Sequence, residues 1–260
     1  MDTADRQEFL LSLSRARASV GFQVLAYCLM PNHFHLLLRV GNVPLPRIMQ
    51  GLLTGYATRF NLRQGKTGHL FQSRYKAILC TDDSYLLTLV RYIHQNPVRA
   101  GFVADPSDWP WSSYRQYMSG AESHAQTGFP LSVIHERADH ARSLLRDFTG
   151  GRPGEERCDA PSPRPGTPEE PTNSNTAQEE DSTATSFEKW AEAAAVELGE
   201  SLDDLRGGKQ DHALAGARRE FALRALGNGF RAADVARFLN RTRSLITLYR
   251  RAAFTASAKD

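Results

Sequence analysis

Two histidines separated by one residue, His33-Phe34-His35, lie in a stretch that reads as a β-strand. Side chains alternate faces along a strand, so both imidazoles share one face and Phe34 takes the other. Two neighbouring imidazoles are half of a divalent-metal site. The same pattern fits two solvated histidines on an open strand face. Tyr92 and Asn96 stand four residues apart in a helical stretch and so share a helix face. A phenol, with an ordinary pKa of about 10, becomes a nucleophile when a metal or base activates it. An amide oxygen can supply a third metal ligand. A half-buried helix aromatic, followed by a capping Asn before Pro97, has the same spacing.

Other residues suit binding rather than bond making. The stretch Gly68-His69-Leu70-Phe71-Gln72-Ser73-Arg74-Tyr75-Lys76 interleaves polar and basic groups with rings. Single-stranded nucleic acid is held in this way, with bases stacked on rings and phosphates on cations. His69, Gln72, Arg74 and Lys76 are the candidate contacts, although a basic loop ahead of a strand looks similar. Trp109, Trp111 and Tyr114 in DWPWSSY read as packing residues. Near the C-terminus, Arg218, Arg219, Arg237, Arg241, Arg243, Arg250 and Arg251 surround a helix–turn–helix pattern. Such a unit sets its second helix in the major groove while flanking cations hold phosphates. A solvated helical bundle with a charged surface is the plainer reading.

The elements that must position these groups follow from periodicity. Phe9, Leu10, Leu13, Ala16 and Val20 recur at helical spacing, and Gly21 ends that helix. Phe22–Leu29 and Phe34–Val40 read as strands around a Met30-Pro31-Asn32 turn. Pro44–Arg63 reads as a helix with Pro46 in its first turn. Tyr75–Cys80 reads as a short strand, and Asp82 caps a helix running to about Asn96, where Pro97 interferes. A further helix starts in Ser112–Met118. Beyond these, Phe187–Leu198, Ala213–Leu226, Arg231–Leu239 and Arg243–Ala253 read as helices. The fold class is α+β for the first part, an antiparallel sheet with packed helices, and all-α for the second.

Composition sets the boundaries. Between 151 and 185 lie 8 acids, 3 bases and 6 of the 13 prolines, with almost no large apolar side chain. Such a stretch cannot bury enough surface to offset its ordering entropy and is expected to be a disordered linker. It separates a domain over 1–150 from one over 186–260. Both flanking parts are net basic, which points weakly to a polyanion partner. No run of about 18 apolar residues exists, which argues against a membrane span. The polar, acidic N-terminus carries no secretory pattern. The three cysteines show no C-x-x-C spacing, so a reducing cytoplasm is the expected compartment.

Taken in order and spacing, AYCLMPNHFHLLL, GHLFQSRYKAIL, RYIHQNPVRAGFV and DWPWSSYRQY closely resemble the REP-associated tyrosine transposases, within the single-tyrosine HUH transposases. The resemblance covers about residues 5–118. It implies a ferredoxin-like antiparallel sheet, His33, His35 and Asn96 as ligands of Mg²⁺ or Mn²⁺, and Tyr92 as nucleophile. Tyr85 lacks the Asn-Pro context, and His94 points to another part of the helix by periodicity. The implied reaction cleaves and rejoins single-stranded, hairpin-forming DNA through a 5′-phosphotyrosine link, in a homodimer. Relatives begin with a strand before the first helix, whereas this sequence begins nearly at that helix, so a sheet short of one strand is expected. The second part, with LGESLDDLRG ahead of its Arg-rich helices, resembles the DNA-binding domain of the replication initiator DnaA and implies contact with duplex DNA. An inactive, sequence-specific DNA-binding descendant of such a transposase is the alternative reading.

Overall fold

The computed structural model describes residues 1–80, 82–150, 180–209, 211–243 and 245–250. They divide into two compact units. The first is built from Met1–Ile78 and Leu89–Phe129; the second takes Leu79–Thr88, Pro130–Phe148 and the helices from Glu180 onward.

The first unit opens with α1, Thr3–Val20. Asp2 caps it, accepting from the Asp5 N–H at 2.7 Å, while the Asp5 carboxylate accepts from the Asp2 N–H at 2.9 Å. This reciprocal pair satisfies two of the donors that a helix start leaves open. Gly21 ends the helix in the left-handed region, φ 73°. Strands β1 (Gln23–Leu29) and β2 (Phe34–Arg39) then form an antiparallel hairpin, closed where the Met30 N–H donates to the His33 carbonyl at 2.9 Å. Helix α2, Leu45–Gln64, packs with α1 on this sheet. Phe9, Leu13, Val24, Tyr27, Leu29, Ile48, Leu52 and Tyr56 make the core between them.

Among the described residues the sheet has two strands. The other edge of β1 is nevertheless satisfied. The Leu29 N–H donates to the Trp111 carbonyl at 2.8 Å, and the Ser113 N–H donates to the Tyr27 carbonyl at 3.0 Å. Further along, the Val24 N–H donates to the Gln126 side chain and the Val24 carbonyl accepts from the Gln126 N–H. The DWPWSSY stretch therefore lies along β1 as an irregular edge. That explains why six of the seven β1 residues are buried. Trp109 and Trp111 are packing residues, as expected, with the Arg6 guanidinium 5.4 Å from each ring.

Two expectations need correction. Tyr75–Cys80 forms no strand. Its apolar residues are not buried either: Ile78 is 43% and Leu79 81% exposed. A β pattern alone does not make a strand without an edge to pair with. Helix α3, Asp83–Arg99, also continues through Pro97 instead of stopping before it. Pro97 sits in the last turn, so the ring costs only one ladder bond there.

Helices α4 (Tyr114–Ser119), α5 (Gly128–Ile134) and α6 (Ala138–Gly150) follow. The second unit adds α7 (Glu180–Glu197), α8 (Leu202–Arg206), α9 (His212–Gly227) and α10 (Ala232–Phe238). Residues 243 and 245–250 form a last helical stretch. Helix α7 begins six residues ahead of Ser186; the rest of the expected linker, and Arg251, lie outside the described residues. Between α10 and the last stretch the chain turns at Asn240, φ 52°. An aromatic cluster of Phe187, Trp190, Phe221, Phe230 and Phe238 fills the middle of this unit.

Candidate active site

The hairpin and the second half of α3 bring four side chains together. His33 immediately precedes β2, and His35 lies within it, opposite Cys28 on β1. Their rings sit 5.0 Å apart, centroid to centroid, nearly perpendicular. Phe34 takes the other face of the strand, 4.9 Å from the Phe9 ring in the core. The period-2 reading of His33-Phe34-His35 therefore holds in space.

The Tyr92 ring lies 5.6 Å from His35, edge to face. Asn96, one turn later, donates from Nδ2 to the Tyr92 carbonyl at 2.7 Å. That bond fixes the amide and leaves Oδ1 as its accepting end. Tyr92 and Asn96 are both half-buried, whereas His94 between them is fully buried. His94 is 2.8 Å from Ser113 Oγ and packs against Tyr114 and Tyr117. Burial pushes its imidazole down to about 3.

The histidine pair has the features of a ligand set. His33 Nδ1 is 2.8 Å from Asn32 Oδ1. Since the amide oxygen can only accept, Nδ1 is the donor in this contact, and Nε2 is the nitrogen left to act as a ligand. Metal-binding histidines are commonly oriented by such an outer partner. His35 Nε2 is buried without a hydrogen-bond partner. Burial, reinforced by the neighbouring His33, pushes the His35 imidazole down to about 4, with Asn96 opposing the shift. His35 is thus neutral at pH 7, the protonation state a ligand needs. An orphaned ring nitrogen, a second imidazole with a fixed tautomer and an amide oxygen fit a hard or borderline divalent cation. Among the described residues no group of three or more His, Cys, Asp or Glu side chains could hold a metal ion. A metal here would therefore rest on the amide as third protein ligand.

The remaining expected residues fall elsewhere. His69, Gln72, Arg74 and Lys76 are all exposed in the irregular stretch after α2. That stretch is anchored at two points. Asn61 Nδ2 donates to the Gly68 carbonyl at 2.9 Å, and Phe71 packs against Phe34 and Tyr56 at 6.2 Å. Phe71 is thus a packing ring, and the polar groups around it are left at the surface.

Three of the C-terminal arginines require correction. Arg218 is 1% exposed. Its Nε donates to the Leu205 carbonyl, Nη1 to Asp83 and the Lys209 carbonyl, and Nη2 to the carbonyls of Asp204 and Gly207. All five guanidinium donors are used inside the unit. Arg219 donates to the Ser132 carbonyl and to Glu136, and Arg241 to the carbonyls of Gly207, Leu239 and Asn240. Both are buried. None of the three offers a phosphate anything in this arrangement. Arg243 and Arg250 are exposed, and their spacing puts them on one face of the last helical stretch.

Two residues that the sequence pattern did not single out join the site. Asn32 sits beside His33 in the turn; its adjacency was the available signal. Arg99 follows Tyr92 by seven residues, again on the same helix face, and its guanidinium lies 5.4 Å from the Tyr92 ring centre.

Residues 1–96 match the family of IS200-like transposases. A curated protein of Haemophilus influenzae, assigned to the REP-associated tyrosine transposases, is 32% identical over 106 residues. The aligned part is 36% of this chain and 60% of that protein. The first part of the chain is thus similar to IS200-like transposases and to this REP-associated tyrosine transposase. No solved structure matches the chain. The family match spans α1, the hairpin, α2 and the first part of α3. His33, His35, Tyr92 and Asn96 all lie inside the transposase match, and Arg99 lies three residues past its end. No helix among the described residues is long and apolar enough to cross a membrane.

Proposed function

We propose that this chain is a DNA strand transferase that cuts and rejoins single-stranded, hairpin-forming DNA with Tyr92 as nucleophile. The observation that carries the reading is the meeting of His33, His35 and Tyr92, with ring separations of 5.0 and 5.6 Å. Asn96 stands one turn beyond Tyr92 on the same helix. His33 Nε2, His35 Nε2 and Asn96 Oδ1 are the atoms that would hold Mg²⁺ or Mn²⁺. When bound, the ion would withdraw charge from the scissile phosphate.

Tyr92 Oη forms a bond to phosphorus as the bond from phosphorus to the 3′ oxygen breaks. The phenol proton passes to water, and the departing oxygen takes up a proton to become a 3′-hydroxyl. The DNA is left joined to Tyr92 through its 5′ phosphate. The phosphodiester is exchanged rather than hydrolysed, so a second 3′-hydroxyl can reverse the step without a nucleotide cofactor. His69, Gln72, Arg74 and Lys76 supply an exposed polar and basic margin for the strand. In the second unit, Arg243 and Arg250 present cations to duplex DNA. The domain division at 151–185, a homodimeric assembly and a cytoplasmic site of action belong to the same proposal.

The test is a denaturing gel with end-labelled, hairpin-forming single strands and Mn²⁺. Wild type should yield a labelled protein–DNA adduct; Tyr92→Phe should yield none and still bind the strand. His33→Ala should lose the adduct as well. Cleavage that survives Tyr92→Phe would point to a phosphoesterase without a covalent intermediate. Binding with no cleavage by wild type would favour the inactive DNA-binding descendant.

A further inference from the structure

Arg99 lies in the last turn of α3, where a cation is expected to offset the negative end of the helix dipole. That role needs only a charge near the terminal carbonyls and does not need the side chain to lie along the helix. Yet its guanidinium turns back and rests 5.4 Å from the centre of the Tyr92 ring. The ring therefore has two neighbours of different kinds. The His35 imidazole meets it at 5.6 Å, nearly perpendicular, and the guanidinium meets it as a cation over an aromatic face.

A tyrosine held by backbone alone has two torsions free to turn, and each non-productive rotamer removes its oxygen from the reacting geometry. A cation on an aromatic face is attracted to it even at exposed sites. That attraction favours one of a few rotamers. Arg99 is exposed, so the contact lies where an entering strand can reach it. The same residue places a positive charge beside the side chain that would carry the phosphodiester. Tyr92, Asn96 and Arg99 follow one another at helical spacing on one face, so α3 presents nucleophile, amide and cation in a row.

We infer that Arg99 is a positioning residue for Tyr92, holding the phenol against His35 and keeping a cation beside it as the phosphoryl group arrives. This inference rests on the reading of Tyr92 as nucleophile. Its test uses the full chain, a hairpin-forming single strand and Mn²⁺, with Arg99→Gln and Arg99→Lys beside wild type. Three quantities are read: strand affinity, the rate of adduct formation at saturating strand, and the thermal midpoint without DNA.

Arg99→Gln should lower the saturating rate roughly 10- to 100-fold. Strand affinity should stay within about threefold, and the midpoint should fall by no more than about 4 °C. Arg99→Lys keeps a cation that can meet the ring and should recover at least a third of the lost rate. A purely structural or dipole role would move the midpoint and not the saturating rate. A general phosphate contact would change affinity and leave the saturating rate alone. Either result overturns the inference while leaving Tyr92 as nucleophile. If wild type itself forms no Tyr92-dependent adduct, the parent reading fails and takes the role of Arg99 with it.

Discussion

Both units are rich in basic residues, but they use them in opposite ways. After α2, His69, Arg74 and Lys76 stand exposed while the aromatic Phe71 between them is drawn into packing. In the second unit Arg218, Arg219 and Arg241 are drawn inward, and only some cations, Arg243 among them, remain outside. Arg218 and Arg241 close carbonyls in and just after the short helix α8. Arg218 alone takes the carbonyls of Asp204, Leu205 and Gly207. Helix ends leave their last carbonyls without intrahelical partners, and a planar fork of donors can serve several at once. A charge count along the chain therefore measures two different things: after α2 a surface, and at Arg218, Arg219 and Arg241 an internal scaffold.

The strongest way to break this contrast is at Arg218. Its pairing with Asp83 is buried on both sides, at 1% and 0% exposure and 2.9 Å. Burial pushes the Asp83 carboxyl up, and the charges of Arg218 and Arg241 pull it back. Removing one member of a buried pair leaves the other charge uncompensated and costs about 3–5 kcal/mol. Arg218→Ala should therefore unfold or nearly unfold the second unit, read as an absent or sharply lowered transition in urea. Replacing both members, as Asp83→Leu with Arg218→Met, should recover part of the loss. A single Arg218→Ala variant of wild-type stability would return Arg218 to the surface and undo the contrast.

A second test lies in the first unit, at the buried His94. Its imidazole is held neutral down to about 3, against an ordinary 6.5. Below 6.5 the unfolded chain takes up a proton that the folded chain refuses. The stability contribution is fully present above 6.5 and is lost as the pH falls towards 3. Between pH 6.5 and pH 4 the loss should reach roughly 3 kcal/mol. His35 adds a loss of the same sign, since its folded value is also lowered, to about 4. Urea midpoints across that window should fall more steeply for wild type than for His94→Gln, by about one proton. Equal slopes would mean that His94 is not closed off from water.

These residues also mark how far the sequence could be read. The spacing of His33-Phe34-His35 and of Tyr92 with Asn96 carried directly into space, because strand and helix periods fix which side chains share a face. The helix α1, the hairpin and α2 were legible for the same reason. Pairing was not. Tyr75–Cys80 has the apolar, β-branched look of a strand, but the second edge of β1 is taken by Trp111–Ser113, and nothing in the local pattern announces that competition. The burial of Arg218 did leave a signal. On α9 it stands at helical spacing from Leu214, Phe221, Ala222 and Ala225, all buried, so it lies inside the apolar stripe. Counting it with its charge instead of with its stripe hid its role.

The smallest expected effect separates the two kinds of arginine most cleanly. Arg243 is exposed at the start of the last helical stretch and is proposed above as a contact for duplex DNA. Arg243→Ala should leave the stability of the second unit within about 0.5 kcal/mol, as for an ordinary surface change. It should weaken binding to duplex DNA by about 1 kcal/mol and do so similarly across sequences. A protein that neutralises one phosphate fewer releases about one counterion fewer, so the slope of log affinity against log salt should flatten by about one. Sequence-dependent weakening would place Arg243 on base edges instead, which sharpens the picture without changing its sign. An unchanged salt slope would remove Arg243 from the DNA surface and leave the second unit's arginines serving its scaffold at the positions this variant reaches.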